Sequence, residues 1–327
     1  MIFITGASGL VGSYLVRRLL CEDVKIRALK RPTSDLSLVG EFASQIEWVE
    51  GDISDITFLE DTLKGVDTVI HSAAIVSFAP SRKEQMYKVN VEGTANIVNA
   101  ALKSKVSRFC HISSIAAIGR NKNEKVINEN SSWVDSEYNT WYAKTKYLAE
   151  LEVWRGIEEG LNAFIVNPSV VLGPGFFDTG STKLFKYVWD EKLFYTEGEM
   201  NFIDVRDVSE IVYQLLNSDI MAERFILNSG KIRYKDFFEI IAKNFNKKAP
   251  TIKATPFMSE CAWRIEKVRS FFIGNEPLIT KETARLGKNS WYYSNDKIKK
   301  ILNYDFRTLE ESVEWICGNL KERLVHK

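Results

Sequence analysis

Residues 1–12 read Met1-Ile2-Phe3-Ile4-Thr5-Gly6-Ala7-Ser8-Gly9-Leu10-Val11-Gly12, an apolar run that stops at a glycine-rich turn. Ile2–Thr5 is strand-like, and Leu10–Leu20 carries a helical pattern. The glycines between them are spaced G-x-x-G-x-x-G. One lets the chain turn tightly, another lets a phosphate approach the backbone, and the last lets helix and strand pack closely. A pyrophosphate would then meet the positive end of the helix. A loose glycine pattern is weak alone, but between a strand and a helix it meets the context that dinucleotide binding requires. Gly6, Gly9, Leu10, Val11 and Gly12 are therefore candidate cofactor contacts, against the alternative of a purely structural turn.

Outward from that turn, short β-branched runs alternate with longer amphipathic segments. Strands are expected at Ile2–Thr5, Lys25–Leu29, Ile46–Glu50, Thr68–His71, Arg108–Ile112 and Ala163–Asn167. Helices are expected near Leu10–Leu20, Ile56–Leu63, Glu84–Lys103 and Tyr138–Glu159. This alternation predicts an α/β fold, a Rossmann-type doubly wound parallel sheet with helices on both faces. After Pro168 the pattern breaks at Gly173-Pro174-Gly175, and Phe176–Gly198 reads as aromatic and irregular. Helical signals return at Arg206–Leu216 and Tyr234–Phe245, with a strand at Arg224–Leu227 between them. We expect residues 1–172 plus about 202–230 to form the nucleotide-binding domain. Residues 173–201 and 231–327 would form a smaller, discontinuous C-terminal α+β substrate domain.

The chain has 327 residues, 45% hydrophobic and 27% charged, which excludes a disordered or collagen-like protein. With 44 basic and 43 acidic residues the net charge is +1. There is no broad electrostatic footprint for nucleic acid or an anionic membrane, so any anion site must be local. Cys21, Cys110, Cys261 and Cys317 form no C-x-x-C pair, and His71, His111 and His326 form no H-x3-H pair. No metal is expected. No apolar run reaches the ~18 residues that span a bilayer, and the first strand leaves no room for a leader. A cytoplasmic location is expected.

Two further patterns carry chemistry. The second strand ends Arg27-Ala28-Leu29-Lys30-Arg31-Pro32, where a carboxylate would hold a free ribose 2′-hydroxyl. Two cations, Lys30 and Arg31, suit a 2′-phosphate instead, so NADP(H) is preferred over NAD(H). A solvated basic turn is the bland alternative. Tyr142-Ala143-Lys144-Thr145-Lys146 is Y-x-x-x-K, which places Tyr142 and Lys146 on one helix face. A nearby ammonium lowers a phenol's pKa and makes tyrosine a general acid or base. The pattern is cheap and recurs at Tyr293 and Lys297, but only the first pair lies between sheet strands; the second reads as structural. Ser113 and Ser114 follow the fifth strand, at the carboxyl end of the sheet where ligands bind.

Together TGASGLVG, GDISD (51–55), HSAA (71–74), HISS (111–114), YAKTK (142–146), NPSVVLGP (167–174) and FIDVRDV (202–208) resemble the extended short-chain dehydrogenase/reductase family, also called the epimerase/dehydratase family. The match spans essentially the whole chain and lies nearest the dihydroflavonol-reductase and 3β-hydroxysteroid-dehydrogenase-like branch. The resemblance implies an NAD(P)(H)-dependent oxidoreductase that moves hydride between nicotinamide and a small-molecule carbonyl or alcohol. It implies Tyr142 as the acid/base, Lys146 on the nicotinamide ribose and depressing the Tyr142 pKa, and Ser114 on the substrate oxygen. Asn90 takes a structural or proton-relay role. It further implies Asp52 and Ile53 at adenine, Arg31 at the 2′-phosphate, Ala73 and Ala74 along the cofactor, and Pro168 near the nicotinamide amide. Val76 and Phe78 are candidates for the substrate wall, as are the aromatics Phe176, Phe177, Tyr187, Trp189, Phe194 and Tyr195, with Phe257, Trp263, Phe271, Phe272, Trp291, Tyr292 and Tyr293. The bland reading of these aromatics is a small-domain core. The helices Glu84–Lys103 and Tyr138–Glu159 would form a homodimer interface. The second reading is a nucleotide-sugar epimerase or dehydratase with tightly held NAD. The third is a non-catalytic cofactor-binding regulator.

Overall fold

A computed structural model describes residues 1–121, 124–255, 258 and 291–325. Phe257, Cys261, Trp263, Phe271, Phe272 and His326, singled out above, lie outside the described residues. In chain order the elements are β1 (Ile2–Thr5), α1 (Leu10–Leu20), β2 (Ile26–Lys30), β3 (Glu47–Glu50), α2 (Ile56–Thr62), β4 (Thr68–His71), α3 (Lys83–Tyr87), α4 (Gly93–Lys103) and β5 (Arg108–Ile112). Next come β6 (Val126–Ile127), α5 (Trp141–Glu158), β7 (Ala163–Pro168), β8 (Val170–Leu172), α6 (Thr182–Trp189), β9 (Phe194–Tyr195) and β10 (Glu199–Asp204). The last are α7 (Val205–Leu216), β11 (Glu223–Leu227), β12 (Gly230–Arg233), α8 (Tyr234–Phe245), β13 (Ile252–Lys253), β14 (Tyr292–Tyr293), α9 (Asp296–Leu302) and α10 (Leu309–Val325).

Consecutive residues of the central strands are buried on opposite faces. Phe3, Val69, Phe109 and Ile165 pack with Ile97, Val98 and Val153 on one side. Ile4, Ile70, Cys110 and Phe164 pack with Leu15, Val208 and Ile211 on the other. A sheet covered twice has to be apolar at successive positions, which explains the continuous apolar runs. Seven strands pair in the order β3-β2-β1-β4-β5-β7-β11, and all of these pairings are parallel. The order reverses between β1 and β4, the switch point beyond which a dinucleotide lies in such sheets.

A second layer departs from the sequence reading. The stretch expected to be irregular, Phe176–Gly198, contains α6 and β9. With α8, α10 and the sheet β12-β10-β8 it builds a separate core. Phe177, Tyr187, Trp189 and Tyr195 pack into that core with Phe185, Phe237 and Phe238. Of the two readings above, the small-domain core holds for these four rings: the small domain has few elements and fills its interior with large rings. The FIDVRDV run is structural. Asp204 caps α7 and pairs with Arg206 at 2.6 Å, while buried Asp207 ties the Arg307 guanidinium and the Tyr304 hydroxyl to α7. The second Y-x-x-x-K pair is also structural. Tyr293 is buried in β14, and Lys297 binds Glu223 and the Arg224 carbonyl. Among the described residues, no helix is long and apolar enough to cross a membrane.

Candidate active site

The glycine turn joins β1 to α1 with little room to spare. Gly6 has φ +73°, and a Cβ there would lie 2.7 Å from the Ala73 nitrogen. A Cβ on Gly12 would lie 2.1 Å from the Gly6 oxygen. Gly9 caps α1 with no side-chain hydrogen bond, so the first amides of the helix are left to an external acceptor. Gly9 is exposed, and Leu10 and Val11 are half-buried around it. An uncapped helix start next to a cradle that a Cβ would fill suits a pyrophosphate.

The basic end of β2 is less free than its sequence suggests. The parallel register sets Lys30 opposite Glu50 and Arg27 opposite Glu47 on β3. Both pairs are formed, at 3.5 Å and 2.8 Å. The Lys30 ammonium thus faces a carboxylate that lies far away in sequence. Arg31 is exposed beyond the strand. Its charge helps to lower the Asp52 pKa, behind the larger effect of Ser54, whose hydroxyl and amide both bond that carboxylate. Ile53 is buried against Gly93, so its side chain belongs to the core and only its backbone is left for a ligand.

A directed chain of hydrogen bonds lies under the turn. The Ala73 amide donates to Thr5 Oγ1 at 3.2 Å, and Thr5 Oγ1 is 2.7 Å from His71 Nδ1. His71 Nε2 is 2.9 Å from Thr94 Oγ1, which donates to the Asn90 carbonyl at 2.6 Å. Thr94 spends its proton on that carbonyl, so His71 must carry its own proton on Nε2 and accept from Thr5 at Nδ1. Burial, with the Lys146 charge in support, holds the His71 pKa down at about 3. His111, 5.2 Å away ring to ring, is held well below its usual value for the same reasons.

Asn90 lies in a π-helical turn, Lys88–Glu92, that interrupts the helix expected over Glu84–Lys103. Its amide accepts from the Ile75 nitrogen at 2.7 Å and donates to the Ile75 oxygen at 2.9 Å and to Thr145 Oγ1 at 3.1 Å. Both amide protons are therefore used, and Asn90 pins the loop after β4 to α5. Ala74 and Val76 in that loop are exposed, Ala73 is half-buried, and the Phe78 ring stands edge-on to Tyr142 at 6.4 Å.

Helix α5 starts at Trp141, where Thr140 caps the Ala143 amide at 3.1 Å. That start fixes the face that Tyr142 and Lys146 share. The Ser114 hydroxyl, at the end of β5, faces the Tyr142 phenol. Burial raises the phenol's pKa and Ser114 opposes the rise. Lys146, 2% exposed, donates to the Ile112 carbonyl at 3.0 Å and lies 3.5 Å from His111 Nε2. Burial lowers its pKa to about 8, and Glu150 resists the fall. Among the groups acting on the phenol, burial is the largest. The ammonium is anchored to β5, and burial governs the phenol. Pro168 is buried at the end of β7. Sequence reasoning missed Thr5, Asn167 and Glu150. Of these only Glu150 left a signal, a carboxylate one turn beyond Lys146 on the buried face.

The description "NAD dependent epimerase/dehydratase family" matches residues 2–227. Sterol demethylase protein B of Methylococcus capsulatus is 32% identical over 227 residues, covering 68% of this chain and 68% of that one. A Synechocystis protein named as a dihydroflavonol 4-reductase is 27% identical over 318 residues, 95% and 92% of the two chains. The crystal structure of gox2253 superposes with a TM-score of 0.83 at 32% identity, covering 99% of this chain and 98% of that one.

Proposed function

The chain belongs to the NAD dependent epimerase/dehydratase family, as an enzyme of the extended short-chain type, and on that premise we propose that it is an NADP(H)-preferring reductase of a small-molecule carbonyl. One observation carries the reading: α5 sets the Tyr142 phenol beside the Ser114 hydroxyl, with buried Lys146 one turn on and bonded to the end of β5. A protonated phenol at neutral pH is the form that a carbonyl reduction needs, because the developing alkoxide must receive a proton. Ser114 holds the substrate oxygen, and Tyr142 delivers the proton to it. Lys146 fixes the strand end beneath them and would hold the nicotinamide ribose. The nicotinamide, when bound, supplies the hydride.

Gly6, Gly9, Leu10, Val11 and Gly12 would hold the pyrophosphate. Asp52, Ile53, Ala73 and Ala74 would line the adenine and ribose, with Pro168 beside the nicotinamide amide. Arg31 would take the 2′-phosphate, since Lys30 is already paired. Phe78 would wall the substrate beside Tyr142, with Val76 at the mouth. The segments 173–201 and 231–327 would form the substrate-binding domain. A cytoplasmic homodimer through α4 and α5 belongs to the same reading, and a monomeric mass in light scattering would reject the dimer.

Tyr142→Phe tests the chemistry. It should lower turnover with NADPH and a carbonyl substrate by about 10²–10⁴-fold, with NADPH affinity nearly unchanged. Full activity in the variant would remove Tyr142 from the mechanism. A thermal shift with a UDP-sugar but none with NADPH would favour the epimerase reading instead.

A further inference from the structure

Glu150 lies one helical turn beyond Lys146, on the same buried face of α5, and is 1% exposed. A lone carboxylate in a dry interior is costly unless it is paired. Glu150 Oε1 accepts from the Asn167 amide at 2.5 Å, and Oε2 lies 3.6 Å from Arg224 Nη1. The Ser113 hydroxyl sits beside it, outside hydrogen-bonding geometry but close enough to oppose the rise that burial imposes on its pKa. The same Asn167 nitrogen donates to the Ser114 carbonyl at 2.9 Å. One carboxylate therefore reaches the ends of β5 and β7, the edge strand β11 and the charge on Lys146. Arg224 does not depend on Glu150 for its place, since it also binds the Glu129 and Ser131 carbonyls, each at 2.8 Å.

We propose that Glu150 is a positioning residue with two tasks. It is the counter-charge that keeps Lys146 an ammonium in the interior, and through Asn167 it fixes the backbone that presents Ser114 to Tyr142. Its catalytic meaning rests on the reaction proposed above; the effect of its charge on Lys146, one turn away on the same buried face, does not. The charged groups facing Glu150 are Lys146 from its own helix and Arg224 from β11, with neutral Asn167 from β7 and Ser113 after β5. Lys146 in turn faces His111 of β5, which is held neutral.

Glu150→Gln keeps the shape and an acceptor for Asn167 while removing the charge. The test is the pH titration of the Lys146 ε-carbon by ¹³C NMR, with Lys146→Met to assign the resonance. Its midpoint should start near 8 in the parent and fall by about one unit in Glu150→Gln. The alkaline limb of kcat should move down with it while NADPH affinity holds. A midpoint that stays put or rises overturns the proposal, because mere loosening would let water in and raise it. Urea unfolding is the second measurement. Lys146→Met/Glu150→Gln should be more stable than Glu150→Gln alone, and a double variant no more stable overturns the counter-charge role. The titration needs no substrate. An unmoved midpoint counts against Glu150 only, and absent carbonyl turnover counts against the proposed reaction only.

Discussion

Taking the protein from pH 7.5 to pH 5 should weaken its fold by about 2 kcal/mol through His71, with His111 acting in the same direction. Both are 0% exposed, and burial keeps both neutral in the folded chain. The folded pKa of His71 is about 3, against 6.5 for a free imidazole. A depressed pKa means that stability is fully present above 6.5 and is lost as pH falls towards 3. At pH 5 the unfolded imidazole is one and a half units below its pKa and the folded one is still neutral. At ~1.4 kcal/mol per unit this is about 2 kcal/mol. His111, held well below 6.5, acts in the same direction. Folded domains hold roughly 5–15 kcal/mol, so the loss is a large share. Protonation of His71 at Nδ1 would also reverse its hydrogen bond with Thr5, directly beneath the glycine turn. Exposed carboxylates with lowered pKa, such as Glu22 and Asp52, lose their contribution only below ~4.5 and leave this window alone. Buried Glu150 and Asp207 have raised pKa values and act in the opposite sense, so the histidines need a direct readout. Urea unfolding across pH 5–7.5, with imidazole ¹⁵N shifts of the folded protein, supplies it. A folded His71 or His111 that titrates above pH 5, or a flat stability curve, would refute the reasoning.

Gly12→Ala should destabilise the protein by about 1–3 kcal/mol and weaken NADPH binding at least tenfold, since its Cβ meets backbone at 2.1 Å and helix α1 must move away from the turn. Calorimetric titration and thermal unfolding measure both; unchanged affinity would count against the turn as the cofactor site. Arg31→Ser should raise the NADPH Kd about tenfold or more and leave NADH unaffected, as loss of one charge-assisted contact predicts. Equal binding of NADH and NADPH by the parent protein would remove the basis of that preference.

The nucleotide-binding half was legible because its signals are local. A strand–glycine–helix passage, apolar runs that serve both faces of a sheet, and two side chains four apart on a helix all depend on neighbours in sequence. The strand ranges Ile2–Thr5, Thr68–His71 and Arg108–Ile112 therefore stand as read. Elements held by distant partners were not legible in this way. Phe176–Gly198 reads as irregular until α8 and α10 supply the surface on which α6 folds.

The sequence by itself determined the sheet, the glycine turn and the shared face of Tyr142 and Lys146, because backbone period and chirality act over a few residues. Only the tertiary structure decided which charges are free. Lys30 is paired by a strand register with Glu50, twenty positions on, and Arg31 is left exposed. Glu150 meets Arg224 across the sheet, and the interior around Lys146 sets whether each titratable group carries its proton. Charge depends on burial and on partners brought together by folding, and neither is written in the spacing of residues along the chain.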